Sequence, residues 1–199
     1  GITLLSVGAT AAGGFDALAL HWDVMEERAP QFGHTPDRAG WRLAGAMHLA
    51  ETKEQAIEDV RHGLDDWCHY TQHILAAPHF RAVGETFEER LAFVNESGLG
   101  VIGTPDDAVA QIERLEKQSK GFGSYLLIHQ EWARHAATLK SYELFAEHVK
   151  PKFQGSASRL QSASDYATSR WTELNDRQGA AIQAATDRHA KERADAGKA

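Results

Sequence analysis

The sequence predicts an α/β fold: parallel strands covered by helices, followed by a helical tail. Three observations carry that reading. Three short apolar runs, at 2–7, 41–52 and 124–129, have the length and aliphatic character of strands buried on both faces. Between them lie longer segments whose apolar residues recur at helical spacing. From residue 156 onward the composition shifts to Ala, Ser and charge. Strands that alternate with covering helices build βαβ units and a parallel sheet, either part of a (β/α)8 barrel or a doubly wound sheet. A whole barrel takes eight strands and roughly 250 residues. Three strands cannot close one alone.

The elements follow in order. "ITLLSV" (2–7) is the first strand and "GATAAGG" (8–14) a small-residue loop. In 15–33, Leu18, Trp22, Met25 and Ala29 are spaced for a helix, with Gly33 as its C-cap and "HTPDR" as a turn. "WRLAGAMHLAET" (41–52) is the second strand, and Thr52 caps the helix after it. That helix carries Ala56, Val60, Leu64, Trp67 and Ile74 as its apolar stripe. Residues 76–100 hold Pro and Gly and read as an insertion with one short helix. Thr104 is an N-cap, Pro105 sits at the first helical position, and Asp106 and Asp107 complement the positive end of the helix dipole. Val109, Ile112 and Leu115 form the buried face of that helix, and Gly121 ends it. "SYLLIH" (124–129) is the third strand. A helix over 137–153 stops near Pro151. The three strands are expected to be parallel neighbours in the order 2–7, 41–49, 124–128, with helices on one side and Leu5, Leu43 and Leu127 facing the interior. The barrel-like part is expected over 1–155, and one or two tail helices over 156–199, frayed after about residue 190.

Composition narrows the function. The chain has 199 residues and a net charge of −7, from 21 Lys and Arg against 28 Asp and Glu. An acidic balance argues against sequence-independent nucleic-acid binding and against an anionic membrane surface. No apolar run approaches the roughly 18 residues of a membrane-spanning helix. The single cysteine, Cys68, rules out an intrachain disulfide and a cysteine-based zinc cluster, and suits a reducing compartment. On its helix it reads as a small core residue. The opening has no initiator Met and no basic region of a signal peptide. A strand starting at residue 2 leads us to expect chain upstream of it. His69 and His73 stand at i,i+4, a spacing that can bind zinc, but no further ligand completes a known pattern; no metal is expected. Gly13-Gly14 before a helix suits either a phosphate cradle or a flexible loop.

With the elements placed, the wording becomes specific. "LLSVGATAAGGFDALALHWDVMEERAPQFGH", "WRLAGAMHLAETKEQAIEDVRHGL", "NESGLGVIGTPDDAVAQIERLEKQSKGFGSYLLIHQEWA" and "TLKSYELFAEHVKPKFQG" resemble the C-terminal part of the bacterial luciferase-like flavin-dependent monooxygenases. Within that family, the likeness is to the limonene 1,2-monooxygenase-like branch. The resemblance covers roughly residues 1–155. It implies a partial (β/α)8 barrel whose strands six, seven and eight are the three runs above, plus the helical tail. Strands one to five have no counterpart in this sequence, so the isolated chain is expected to be inactive.

The resemblance further implies reduced FMN delivered by a separate flavin reductase, oxygen, and a small apolar substrate such as a terpene or alkane. The deazaflavin F420 as cofactor of an oxidoreductase on the same fold stays open. So does a non-enzymatic module that associates through its open sheet. A homodimer and a cytoplasmic location are expected. By resemblance the end of strand six lies beside the flavin ring, which makes Leu5, Ser6, Val7 and Gly8 the cofactor-binding candidates. The small residues there also suit a tight turn. His48 and His129 fall near the C-terminal ends of two predicted strands, where the rim of a substrate pocket belongs. No catalytic residue is assigned.

Overall fold

A computed structural model of the chain describes residues 3–7, 17–75, 83–154 and 158–196. The chain divides into two compact units, Gly1–Phe153 and Gln154–Ala199.

The first unit is built on four parallel strands: β1 (Leu5–Val7), β2 (Arg42–Leu49), β3 (Gly100–Gly103) and β4 (Ser124–Leu127). β2 is the centre. Its first half pairs with β1 and β4, in the register Val7↔Ala44 and Ala44↔Leu126. Its second half pairs with β3, from Ala46↔Gly100 to Leu49↔Gly103. The three strands expected from sequence are thus parallel neighbours in the expected order.

β3 departs from the expectation; its four residues fall at the end of the insertion expected over 76–100 and in the loop after it. Two of the four are Gly, so no strand-like apolar run marks it. All four are buried. A Cβ on Gly100 would stand 2.9 Å from the Trp132 ring and 3.0 Å from the Ala46 carbonyl oxygen, which explains the residue. The side chain of Asn95 takes the place of a further strand beside β3. It accepts from Ile102 N–H (2.8 Å) and donates to Ile102 C=O (3.0 Å).

The helices are α1 (Ala17–Arg28), α2 (Lys53–Val60), α3 (Leu64–His73), α4 (Phe87–Ser97), α5 (Pro105–Ser119), α6 (His135–Leu144) and α7 (Lys150–Phe153). Gly33 adopts φ 75° and closes the 3-10 turn that follows α1. Thr52 caps α2 by accepting from Gln55 N–H. Thr104 caps α5 in a reciprocal box with Asp107. α5 ends one residue earlier than expected, with Lys120 itself in the left-handed region at φ 59° and Gly121 following at φ 102°.

Two expected long helices are interrupted. The helix through 53–75 breaks at 61–63. Gly63 N–H turns to the Trp132 carbonyl (2.9 Å), and a Cβ there would lie 2.0 Å from the Glu131 oxygen. The backbone of the loop after β4 therefore presses directly on the α2–α3 junction. The helix through 137–153 passes through a π turn at Phe145–Val149 before α7. Pro151 has no N–H for the carbonyl one turn back, and the wider turn carries the chain past it.

Three apolar clusters make the core. Leu18, Trp22, Trp41, Leu43 and Leu115 pack between α1, β2 and α5, with Trp22 stacked on Trp41 at 5.2 Å. Met47, Leu49, Val101, Val109 and Ile112 pack β2 and β3 on α5. Ala46, Val60, Leu64, Cys68, Val94 and Trp132 fill the other face of the β2–β3 half. Helices therefore cover both faces there, not one side as expected. In the β1–β2–β4 half the expectation for side-chain direction also needs correction. Leu43 is fully buried and Leu127 packs into the helix-covered core. Only Leu5 of the expected trio points the other way.

The second unit contains α8 (Ser158–Ser169) and α9 (Trp171–Ala196). Helical bonds run across their junction, from Arg170 N–H to Tyr166 C=O and from Leu174 N–H to Arg170 C=O. α9 extends to residue 196, beyond the expected fraying point. Glu173 binds Arg177 at 2.8 Å, one turn on.

Candidate functional site

Strand geometry decides which side chains are available to a ligand. Along a strand successive side chains alternate faces. In the rows Leu5–Arg42–Ser124 and Val7–Ala44–Leu126, partners in register share one face. On that face Leu5 is 53% exposed, Val7 37% and Leu126 42%, with the small Ala44 between the last two. On the opposite face Ser6 and Leu43 are buried and Tyr125 packs against the core. A parallel sheet with three aliphatic side chains open on one face is unusual, because such sheets are normally covered on both.

At the C-terminal end of this open face lies a cleft of about 830 Å³. Val7 comes from the end of β1, Ile128 and His129 follow β4, Trp67, Tyr70 and Thr71 stand on α3, and Thr138 stands on α6. The close approach of Gly63 to Glu131 forms the seam between the start of α3 and the loop after β4. His129 Nδ1 is 2.8 Å from the Tyr142 hydroxyl. Thr138 is buried, and its hydroxyl donates to backbone carbonyls at Ala133 and Arg134. The cleft thus combines aliphatic and aromatic surface from Val7, Ile128 and Trp67 with many polar and charged side chains, among them Asp66, His129, Glu131 and Arg134.

The sequence-predicted residues distribute unevenly around it. Leu5 and Val7 lie on the open face. Ser6 is turned away: Trp41 Nε1–H donates to its hydroxyl (2.9 Å), which lies 2.9 Å from His21 Nδ1. Burial holds the His21 imidazole below its ordinary pKa. Gly8 and Gly13-Gly14 lie outside the described residues. His129 lines the cleft. His48 does not. It is buried, with Nε2 3.1 Å from Asp59 Oδ2, and Gln55 donates to the other Asp59 oxygen at 2.8 Å. Burial lowers the His48 pKa, and the hydrogen bond and charge of Asp59 oppose that shift. Its place is a polar tie between β2 and α2.

Cys68 is fully buried, and desolvation pushes its thiol up to about 11. The His69 and His73 rings lie 4.8 Å apart on the exposed side of α3. Among the described residues no cluster of three or more His, Cys, Asp or Glu could hold a metal ion, and no helix is long and apolar enough to cross a membrane.

Sequence reasoning missed the α3 wall, Trp67, Tyr70 and Thr71, and the polar run after β4. The signal for the latter was present: "HQEWARH" places polar and aromatic residues directly after an apolar strand, where barrel sites are built.

No family model matches the chain. It is 47% identical over 155 residues to limonene 1,2-monooxygenase of Rhodococcus erythropolis, an alignment covering 78% of this chain and 39% of that protein. It is 33% identical over 143 residues to 4-hydroxyprotoasukamycin monooxygenase of Streptomyces nodosus subsp. asukaensis, covering 71% and 38%. The chain therefore spans about two fifths of the length of these relatives. Among solved structures it is similar to the oxygenating constituent of 3,6-diketocamphane monooxygenase from Pseudomonas putida, a Type II Baeyer–Villiger monooxygenase in complex with FMN. The TM-score is 0.54 and the identity 25%, over 74% of this chain and 42% of that one.

Proposed function

We propose, from the premise that the chain belongs to the luciferase-like family of flavin-dependent monooxygenases, that it forms one wall of a flavin and substrate site. The observation that carries this reading is the open aliphatic face leading into the cleft at the strand ends. In this reading the strands are the last three βα units of a (β/α)8 barrel, and their exposed rows face its interior. Leu5 and Val7 then lie against a planar isoalloxazine, and Ala44 leaves room between them and Leu126. Trp67 and Tyr70 supply aromatic surface on the far wall, against which a terpene- or alkane-like substrate can pack. The residues present fit such a ring, since the face offers apolar contact without a buried charge. Bound reduced flavin supplies the activation of oxygen. This chain's own residues bind, orient and keep out water.

FMN is the proposed cofactor, supported by the FMN complex of the solved relative; F420 is the competing one. A separate reductase is the proposed source of reduced flavin. A cytoplasmic setting suits the single free thiol.

Titration of the chain with FMN, followed by flavin fluorescence, tests the reading. Stoichiometric binding that is weakened by Val7→Asp is expected. No binding of FMN, with binding of F420, would replace the cofactor; binding of neither would remove the flavin reading. A second reading, a non-enzymatic module, draws on the same exposure of Leu5, Val7 and Leu126. Two copies that cover each other's open face would hide it. Light scattering at micromolar concentration reads a dimer in that case, and a dimer without flavin binding favours the module.

A further inference from the structure

We propose that Tyr142 is a positioning residue. It holds His129 as the Nε2–H tautomer and so turns His129 into a fixed hydrogen-bond donor at the cleft, selecting ligands that present an acceptor oxygen there. The inference rests on the proposed reading of the cleft as a ligand site.

His129 follows β4 directly and lines the cleft. One ring nitrogen, Nδ1, lies 2.8 Å from the Tyr142 hydroxyl, with the rings tilted at 49°. A phenol O–H is a stronger acid than a neutral imidazole N–H, and an imidazole nitrogen is a stronger acceptor than a phenol oxygen. The bond is therefore strongest with Tyr142 donating and Nδ1 accepting. The bond made by one ring nitrogen decides where the proton sits on the other. Nε2 then carries it.

Tyr142 is itself held in place. Its neighbour Ser141 is buried and accepts from Leu49 N–H at 2.8 Å, which ties this turn of α6 to the end of β2. One turn earlier, Thr138 is buried at the cleft. The phenol is thus presented from a helix anchored to the central strand. A donor so placed suits a carbonyl oxygen, and two sources fit: an isoalloxazine carbonyl of the flavin, or the carbonyl of a terpene-type ketone within the substrate class proposed above.

Long-range proton–nitrogen correlation spectra of the ligand-free chain, at about pH 8.5 where an ordinary imidazole is neutral, test the assignment. The expected result is one His129 tautomer, with Nδ1 unprotonated and Nε2 protonated. Tyr142→Phe keeps the ring and removes the hydroxyl; it should shift both nitrogens toward a tautomer average. A proton on Nδ1 in the unaltered chain, or spectra unchanged by Tyr142→Phe, would overturn the proposal. FMN and cyclohexanone, added separately, then identify the partner. A shift of Nε2 with FMN assigns the flavin oxygen, and a shift with cyclohexanone assigns the substrate side. Where either probe demonstrably binds but Nε2 responds to neither, the donor role fails. If neither binds, the reading of the cleft fails while the tautomer result stands.

Discussion

The two faces of the β1–β2–β4 sheet differ in what covers them. Ser6, Leu43 and Tyr125 point to a face closed by α1 and α5. Leu5, Val7 and Leu126, each one residue away on the same strands, point to a face that is open. The strands carry apolar side chains toward both, Leu43 and Tyr125 on one face and Leu5, Val7 and Leu126 on the other. The closed face holds the fold together, and the open face leaves three aliphatic side chains exposed among the described residues.

The sharpest way to break this comparison is a pair of truncations. Leu43→Ala, on the closed face, should cost about 2–5 kcal/mol through lost burial and a residual cavity. Leu126→Ala, on the open face, should stay within about 1 kcal/mol. Urea denaturation midpoints read both. Equal losses would show that the open face is covered in solution, as in a self-associated form.

Gly63→Ala probes the seam between the α2–α3 junction and the loop after β4. The new methyl group meets a backbone oxygen, which no rotamer change relieves. A loss of about 1–3 kcal/mol is expected. FMN affinity should fall with it, because two walls of the cleft move apart. A variant as stable as the parent would dissolve the seam.

Thr104→Ala weakens the helix that closes the closed face. Loss of the cap should cost about 1 kcal/mol. Thr104→Ser, which keeps the hydroxyl, should recover most of it.

The smallest expected effect is a pH dependence at His48, because Asp59 opposes the shift that burial imposes. The folded pKa lies below the unfolded one. Stability from this group is therefore complete above the unfolded value of about 6.5 and is lost as pH falls through the lowered folded value. Subtracting the stability profile of His48→Asn from that of the parent should leave a loss in that acid window. A difference that instead grows as the pH falls would reverse the sign of the shift.

Much of the fold was legible because its signals are local. Three apolar runs marked three strands, and Thr52 and Thr104 marked helix starts through hydroxyls that reach backbone N–H groups within one turn. β3 was illegible because its Gly residues answer to the Trp132 ring and the Ala46 carbonyl, neither of which is near in sequence. The break at Gly63 was hidden for the same reason: its partner is Trp132. At the site, His129 could be placed near the cleft by its position after a strand. His48, placed by the same argument, went instead to Asp59.

Local sequence marked three of the four strands, the starts of several helices and the family to which the chain is related, because each rests on neighbours along the chain or on the order of residues. Which face of each strand is closed was decided only by the tertiary structure. Alternation gives a strand two faces and no local preference between them. Leu43 is buried and Leu5 is open because α1 and α5 pack on one face of the sheet and leave the other free.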